Sequence, residues 1–593
     1  MKLPKLMELQ TTRQWNDVFY GYNHNLRIAE GEFYDMKNMT GDKFPVLSPR
    51  SRRGIFVAET ENARGLIDKD ALCYIDKTDF VINKHRVPLG LTVDKDENGK
   101  ILPKRLVSMG KYVIIMPDKK YVNTEDFESD YGSIEEEYNS TTTVTFKMSM
   151  LDGEEYDVRV QATPPTITDE MLDGGEKLPA WIDTSSKPHQ LKVYSTSTET
   201  WSAVATTYVK IGAQGIGAKF SVGDAVTISG ITASELSSLN TSAVIVSKGE
   251  NYIVISGTIS NIGEQSDPIK VIRAMPKMDY ICESGNRLWG CRYGIANNGQ
   301  IVNEIYASKL GDFKNWNSFQ GTAADSYAVT VGTDGAFTGA VTHLGYPIFF
   351  KENYMHKIYG NYPSNYQVQT TSCRGVQRGC ADSIAIVNEI VYYKARSGIV
   401  AYDGSLPTEI SSALGDVAYS NARAGWLGNK YYISMSDEQD IYHMFVYDTK
   451  RATWHKEDNT EAVAFCNRRG DLYYIDYATK QIMSIKGDGA EDPNPVKWYA
   501  VTGVIGTDSP DKKYVSRIDV RMKLDVGAIV SFFVEYDSSG EWEHLFNMTG
   551  RDLRSFSIPV RPKRCDHMRI KISGTGDAKI YSICKTIEGG SNS

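Results

Sequence analysis

Short β-branched and aromatic runs recur along this chain at a nearly constant spacing, and that spacing limits the fold more than any other feature. Runs begin at Tyr346 (YPIFFK), Glu389 (EIVYYK), Lys430 (KYYIS) and Asp471 (DLYYID), about 41 to 43 residues apart, and an earlier pair begins at Ala71 (ALCYID) and Lys111 (KYVIIM). Each is followed by a polar turn and a second run, as at 444–448 (MFVYD). About forty residues is the length of a four-stranded propeller blade. One blade cannot bury both of its faces, whereas blades packed radially bury each against its neighbours. The expected fold is therefore all-β, a β-propeller of about seven blades, with six to eight compatible with the spacing. Ordinary hairpins in a sandwich are the competing arrangement.

The period breaks between 111 and 287, where Arg287 opens another such run (RLWGC), and removing about 135 residues restores it. An inserted small β domain is expected over 135–273. It has strands of its own near 143–148 and 244–256, a barrel-like lead-in at 220–230 and one short helix at 233–239. From about 494 the texture changes to period-two alternation, as at 515–522 and 528–536, which predicts a C-terminal β-sandwich over 494–593. The remaining divisions are an N-terminal extended arm over 1–60 and propeller segments over 61–134 and 274–493.

Composition supports this reading. With 593 residues the chain exceeds one hydrophobic core. Its 36 Tyr and 50 Gly suit half-wet sheets joined by many turns. The net charge of −8 argues against a surface that coats DNA, though it leaves room for a ring through which DNA passes. Eight scattered cysteines lack metal-ligand spacing and read as buried thiols of a protein assembled in a cytoplasm. No signal peptide is expected from the opening decapeptide, and no membrane span from any apolar run.

Motifs that carry chemistry are scarce. There is no nucleophile elbow, zinc helix or phosphate loop. Asp94, Asp96 and Gly99 imitate half of a calcium loop, but Arg105 stands where its last carboxylate belongs, so a turn is expected. His343 and His356 flank one hairpin and read as structural. Trp498 and Trp542 are the aromatics that would stack on a sugar in a carbohydrate-binding sandwich. No catalytic set, metal site or cofactor site is expected. Two basic clusters remain, Arg50, Arg52 and Arg53, and Arg561, Lys563 and Arg564. They are the candidate contacts to an acidic partner or to DNA, weighed against charged edges that block stray strand pairing.

Three patches carry a family resemblance: residues 21–50 (GYNHN, then EGEFYDMKNM and FPVLSPR), 287–316 ending at Trp316, and 564–574 (RCDHMRIKISG). They resemble propeller-type head-completion, tail hub and tail nozzle proteins of bacteriophages. That resemblance implies a non-enzymatic virion protein at the head–tail connector or tail, assembled in host cytoplasm. It would form a ring with itself, a hexamer by that likeness, below the portal and adaptor. It would also dock tail fibres, a spike or a needle, and frame the channel for DNA ejection. The alternative is a tail-tip or baseplate host-recognition protein that binds cell-surface carbohydrate, with or without glycosidase activity.

Overall fold

A computed structural model describes residues 11–97, 99–173, 177–187, 189–259, 263–296, 299–507, 512–550 and 552–589. The opening decapeptide examined for a signal lies outside them. No helix among the described residues is long and apolar enough to cross a membrane.

The protein is all-β and built around a β-propeller. Its repeating unit is a four-stranded antiparallel meander. Sheet A begins with Ala63–Lys69, sheet B with Arg105–Met109, sheet C with Tyr280–Ser284 and sheet D with Phe337–His343. Sheet E begins with Ala385–Val387, sheet F with Ser420–Leu427 and sheet G with Ala462–Arg468. Sheet G takes its fourth strand from far away: Gly54–Val57 pairs antiparallel with Ile482–Ser484.

Consecutive sheets share cores, and the sharing returns to its start. Cys73 and Ile75 of A pack with Val113 and Ile115 of B, and Ile114 and Met116 of B with Ile281 and Leu288 of C. Trp289 and Cys291 of C meet Phe349 of D, while Ile348 and Phe350 of D join Val391 and Tyr393 of E and Tyr431 and Ile433 of F. Tyr432 of F packs with Leu472 and Tyr474 of G, and Tyr473 and Ile475 of G close onto Ala63 and Leu72 of A. Near the axis Arg105 of B reaches Asp382, just before sheet E, at 3.6 Å and lies 4.1 Å from the Tyr280 ring centre of C.

This packing explains the repeat. The recurring runs are the second strands, Ala71–Asp76, Tyr112–Met116, Arg287–Ile295, Tyr346–Lys351, Ile390–Ala395, Lys430–Ser436 and Asp471–Asp476. Alternate residues of one such strand face opposite neighbouring sheets, so both faces are dry. A strand buried on both faces reads as a continuous apolar run.

Between sheets B and C the chain forms an eight-stranded sheet and a separate four-stranded sheet around Phe146, Ile211, Phe220 and Ile253. A 3-10 helix, Ser234–Leu239, covers its edge with Leu236 and Leu239. A buried Arg273–Asp224 ion pair braces this segment internally, and it leans on the loop of sheet C through the Ala225 N–H, which donates to Asn315 Oδ1 at 2.7 Å.

The N-terminal arm is not a free extension. Thr11–Asn16 pairs with Ala578–Gly589, Gly21–Tyr22 lies against sheet F at Trp454, and Glu32–Lys37 pairs with Lys497–Thr502. Sheet F thereby continues into the C-terminal strands Met568–Thr575, Ile529–Tyr536 and Glu543–Met548. A second sheet of Thr11–Asn16, Ala578–Gly589, Lys513–Leu524 and Arg554–Ile558 covers them, with Val520, Ile583, Phe532 and Ile572 in the common core.

Candidate functional site

The basic cluster at 50–53 leads to the candidate site, though not as an exposed patch. Arg53 immediately precedes the strand that completes sheet G, so its side chain is drawn between sheets F and G, where it is 4% exposed. There it donates to Glu457 Oε2 and to the Tyr474 hydroxyl, both at 2.7 Å, and lies 3.1 Å from Asp458 Oδ2. Arg50 adds contacts to Asp458 at 3.2 Å and Glu457 at 3.7 Å. Burial alone would raise the Asp458 carboxyl, but the Arg53 and Arg50 guanidiniums outweigh it and hold it at about 2. Glu457 and Asp458 come from the turn that leaves sheet F, so the network joins the ring's last two sheets.

Of these residues Arg50, Arg53 and Glu457 line the floor of a cleft of about 700 Å³. Its walls carry Lys430 with Asp42, and Arg451 with Asp448. Burial works against Asp42, yet the Lys430 ammonium and the Thr40 hydroxyl hold its carboxyl below the usual range. Trp426, 38% exposed at the end of the first strand of sheet F, borders the cleft, but its register partner Tyr431 packs toward sheet E, so its ring lies on the face of sheet F away from sheet G, whereas Leu427 beside it faces the cleft side. Asn429 sits in the turn after it. The arrangement combines the apolar side chains of Leu427 and Ile485 with donors and acceptors most of whose charges compensate one another. Such a concave surface can hold a polyhydroxylated ring by apolar contact and surrounding hydrogen bonds.

The other predicted residues lie elsewhere. Arg52 points outward to Glu491 at 3.1 Å, an open pair. Arg561, Lys563 and Arg564 are exposed on the C-terminal sheets, Lys563 with Glu543 at 2.8 Å. The reading of Arg50 and Arg53 as surface contacts is thus corrected: both are engaged by carboxylates that the repeat had concealed. Trp498 is also no stacking platform, being 1% exposed with its indole N–H on Gly576 O at 2.8 Å. Trp542 remains half-buried, with the Lys571 ammonium 5.6 Å from its ring centre. His343 contacts Glu389 O, and His356 sits between Thr333 and Thr370 hydroxyls; burial and nearby Lys351 push His356 down to about 4. Asp94 is bound by buried Lys104. All eight cysteines are free, six of them buried. Asp42, Lys430, Asp448 and Arg451 carry no local signal in the sequence, because they meet at one cleft only through the packing of the sheets.

No family model and no curated protein matches the sequence. Among solved structures, the chain is similar to an exo-β-1,3-galactanase from Phanerochaete chrysosporium bound to galactose (9% identity, 51% of this chain and 94% of that one, TM-score 0.22). It is also similar to a putative 6-phosphogluconolactonase from Bacteroides fragilis (11%, 61% and 91%, TM-score 0.22). A third is a Trypanosoma rangeli sialidase in complex with a difluorosialic acid (9%, 83% and 94%, TM-score 0.19). The expectation of a non-enzymatic tail-hub subunit is corrected by these findings: the similar structures are named as glycoside hydrolases and a sugar-acid lactonase, not as virion components. TM-scores this low carry no inference about this chain's own substrate. That rests on the cleft.

Proposed function

We propose that the protein binds carbohydrate, with a neutral saccharide seated in the cleft between sheets F and G. In this reading sheets A to G are seven blades, the last closed by the strand Gly54–Val57, and the C-terminal strands form a β-sandwich braced against blade F. The observation that supports it best is a cleft in which half-buried Leu427 and Ile485 adjoin compensated ion pairs. Leu427 and Ile485 supply apolar contact for the C–H side of a pyranose. The paired side chains supply both donors and acceptors, as hydroxyl groups require. A neutral ligand is favoured because the cleft cations Arg50, Arg53, Lys430 and Arg451 each already meet a carboxylate, which leaves exposed Lys486 as the one lining cation with no ion pair among the described residues.

The test is calorimetric titration of the full chain with a panel of neutral oligosaccharides, with reducing-sugar release followed on the same panel. At least one panel member is expected to bind, and Arg451→Ala, which removes a partly exposed donor from the cleft, is expected to weaken it about tenfold, or about 1.4 kcal/mol. Unchanged affinity in that variant, or no binding across the panel, would overturn the reading.

A further inference from the structure

A second cavity, of about 710 Å³, lies between sheets E and F, and its chemistry differs from that of the first. Lys394, near the end of the second strand of sheet E, lines it and is 4% exposed. Its ammonium donates to Gln377 Oε1 and to Ala395 O, both at 2.7 Å. These two acceptors are neutral, an ammonium has three N–H groups, and no carboxylate forms an ion pair with Lys394 among the described residues. Two carboxylates line the cavity as well, neither in ion-pair contact with Lys394: Glu409, which pairs with Arg374 at 2.8 Å and offsets the Lys394 charge only in part, and exposed Asp416. Arg396 lines the same cavity, is exposed, and has no ion-pair partner among the described residues. Burial pulls the Lys394 pKa down, and the Glu409 carboxylate offsets that only in part, as expected for a cation stripped of water without a carboxylate in contact.

An incompletely compensated ammonium is unfavourable in a protein interior unless something else meets it. A structural lysine would be cheaper with a carboxylate beside it, as Lys104 has with Asp94 and Asp118. With its carbonyl oxygen committed to Lys394, the Gln377 amide has its NH2 group left to donate into the cavity. We propose that this cavity is a binding site for a small ligand carrying an oxyanion, recognised by Lys394 and Arg396 with Gln377 as a further donor. It is separate from the neutral-saccharide cleft and does not depend on it.

Full-length protein would be titrated with glucuronate, with inorganic phosphate and with glucose as the uncharged control. Glucuronate or phosphate is expected to bind and glucose not to bind at this site. Lys394→Met is expected to weaken the anion at least tenfold and Arg396→Ala about threefold, with Gly332→Ala, remote from both cavities, leaving it unchanged. If glucuronate binds more tightly than phosphate, the source is an acidic sugar; the reverse order assigns a free phosphate group. Circular dichroism and thermal melting of Lys394→Met establish that it folds. Arg396→Ala, on the surface, keeps the test valid if it does not. Binding of neither anion, or anion affinity unchanged in both variants, would refute the proposal.

Discussion

Replacing Arg53 by Met is expected to cost about 3 to 5 kcal/mol of stability, the largest single-residue loss on this side of the ring. The reason lies in what remains. Glu457 stays buried with only Arg50 at 3.7 Å, and the Tyr474 and Thr460 hydroxyls lose a donor's company. A buried charge whose partner is removed retains its desolvation cost with no attraction to set against it. Urea unfolding of the full chain, followed by tryptophan fluorescence, measures the effect. The double variant Arg53→Met with Glu457→Gln is expected to recover at least half, because both buried charges are then gone. A loss below about 1 kcal/mol in the single variant would show that the pair is not buried in solution. The pH dependence has a definite sign. Asp458 is held at about 2 against an ordinary value of 3.8, so its ionised form stabilises the fold fully above about pH 4. That contribution, about 2 kcal/mol, is lost as the pH falls toward 2. Arg53→Met should show a smaller loss over the same interval.

Gly54→Val is expected to open the ring. A Cβ at Gly54 would meet the Asp488 carbonyl oxygen at 2.1 Å and the backbone of Gly487 at 2.5 Å, so the strand cannot keep its place beside Ile482–Ser484. Backbone cannot yield as a side-chain tip can, and the expected cost is about 3 kcal/mol or more. Losing this strand bares the edge of sheet G, an open template for pairing with other chains. The variant should therefore aggregate on mild heating, as light scattering would report. Gly332→Ala is the control: a Cβ there meets nothing within 4 Å, and its melting temperature should stay near that of the parent. Normal cooperative melting in Gly54→Val would mean that sheet G does not depend on the N-terminal strand.

The local alphabet of this molecule was readable because its second strands are buried twice. Tyr473 and Ile475 face sheet A while Leu472 and Tyr474 face sheet F, so hydrophobicity runs on without alternation and recurs with each sheet. By contrast, Gly54–Val57 is four residues long and resembles any short edge strand. Its partner lies more than 400 positions away, and no local pattern announces a contact so distant. The same distance hid the cleft. Arg50 and Arg53 stand in the sequence as a basic cluster, and only ring closure sets Glu457 and Asp458 against them.

Periodic burial, a short-range property, by itself determined that this chain would be all-β and repeat a sheet of about forty residues. Which sheets neighbour one another, where the N-terminal arm is stitched in, and which charged side chains meet were decided only in the tertiary structure. They depend on contacts between residues far apart in the chain, whose pairing follows from ring closure and not from neighbouring sequence. Trp426 at the end of its strand and Trp498 in the core are the same residue type, and only their place in the tertiary structure leaves one 38% exposed and the other buried.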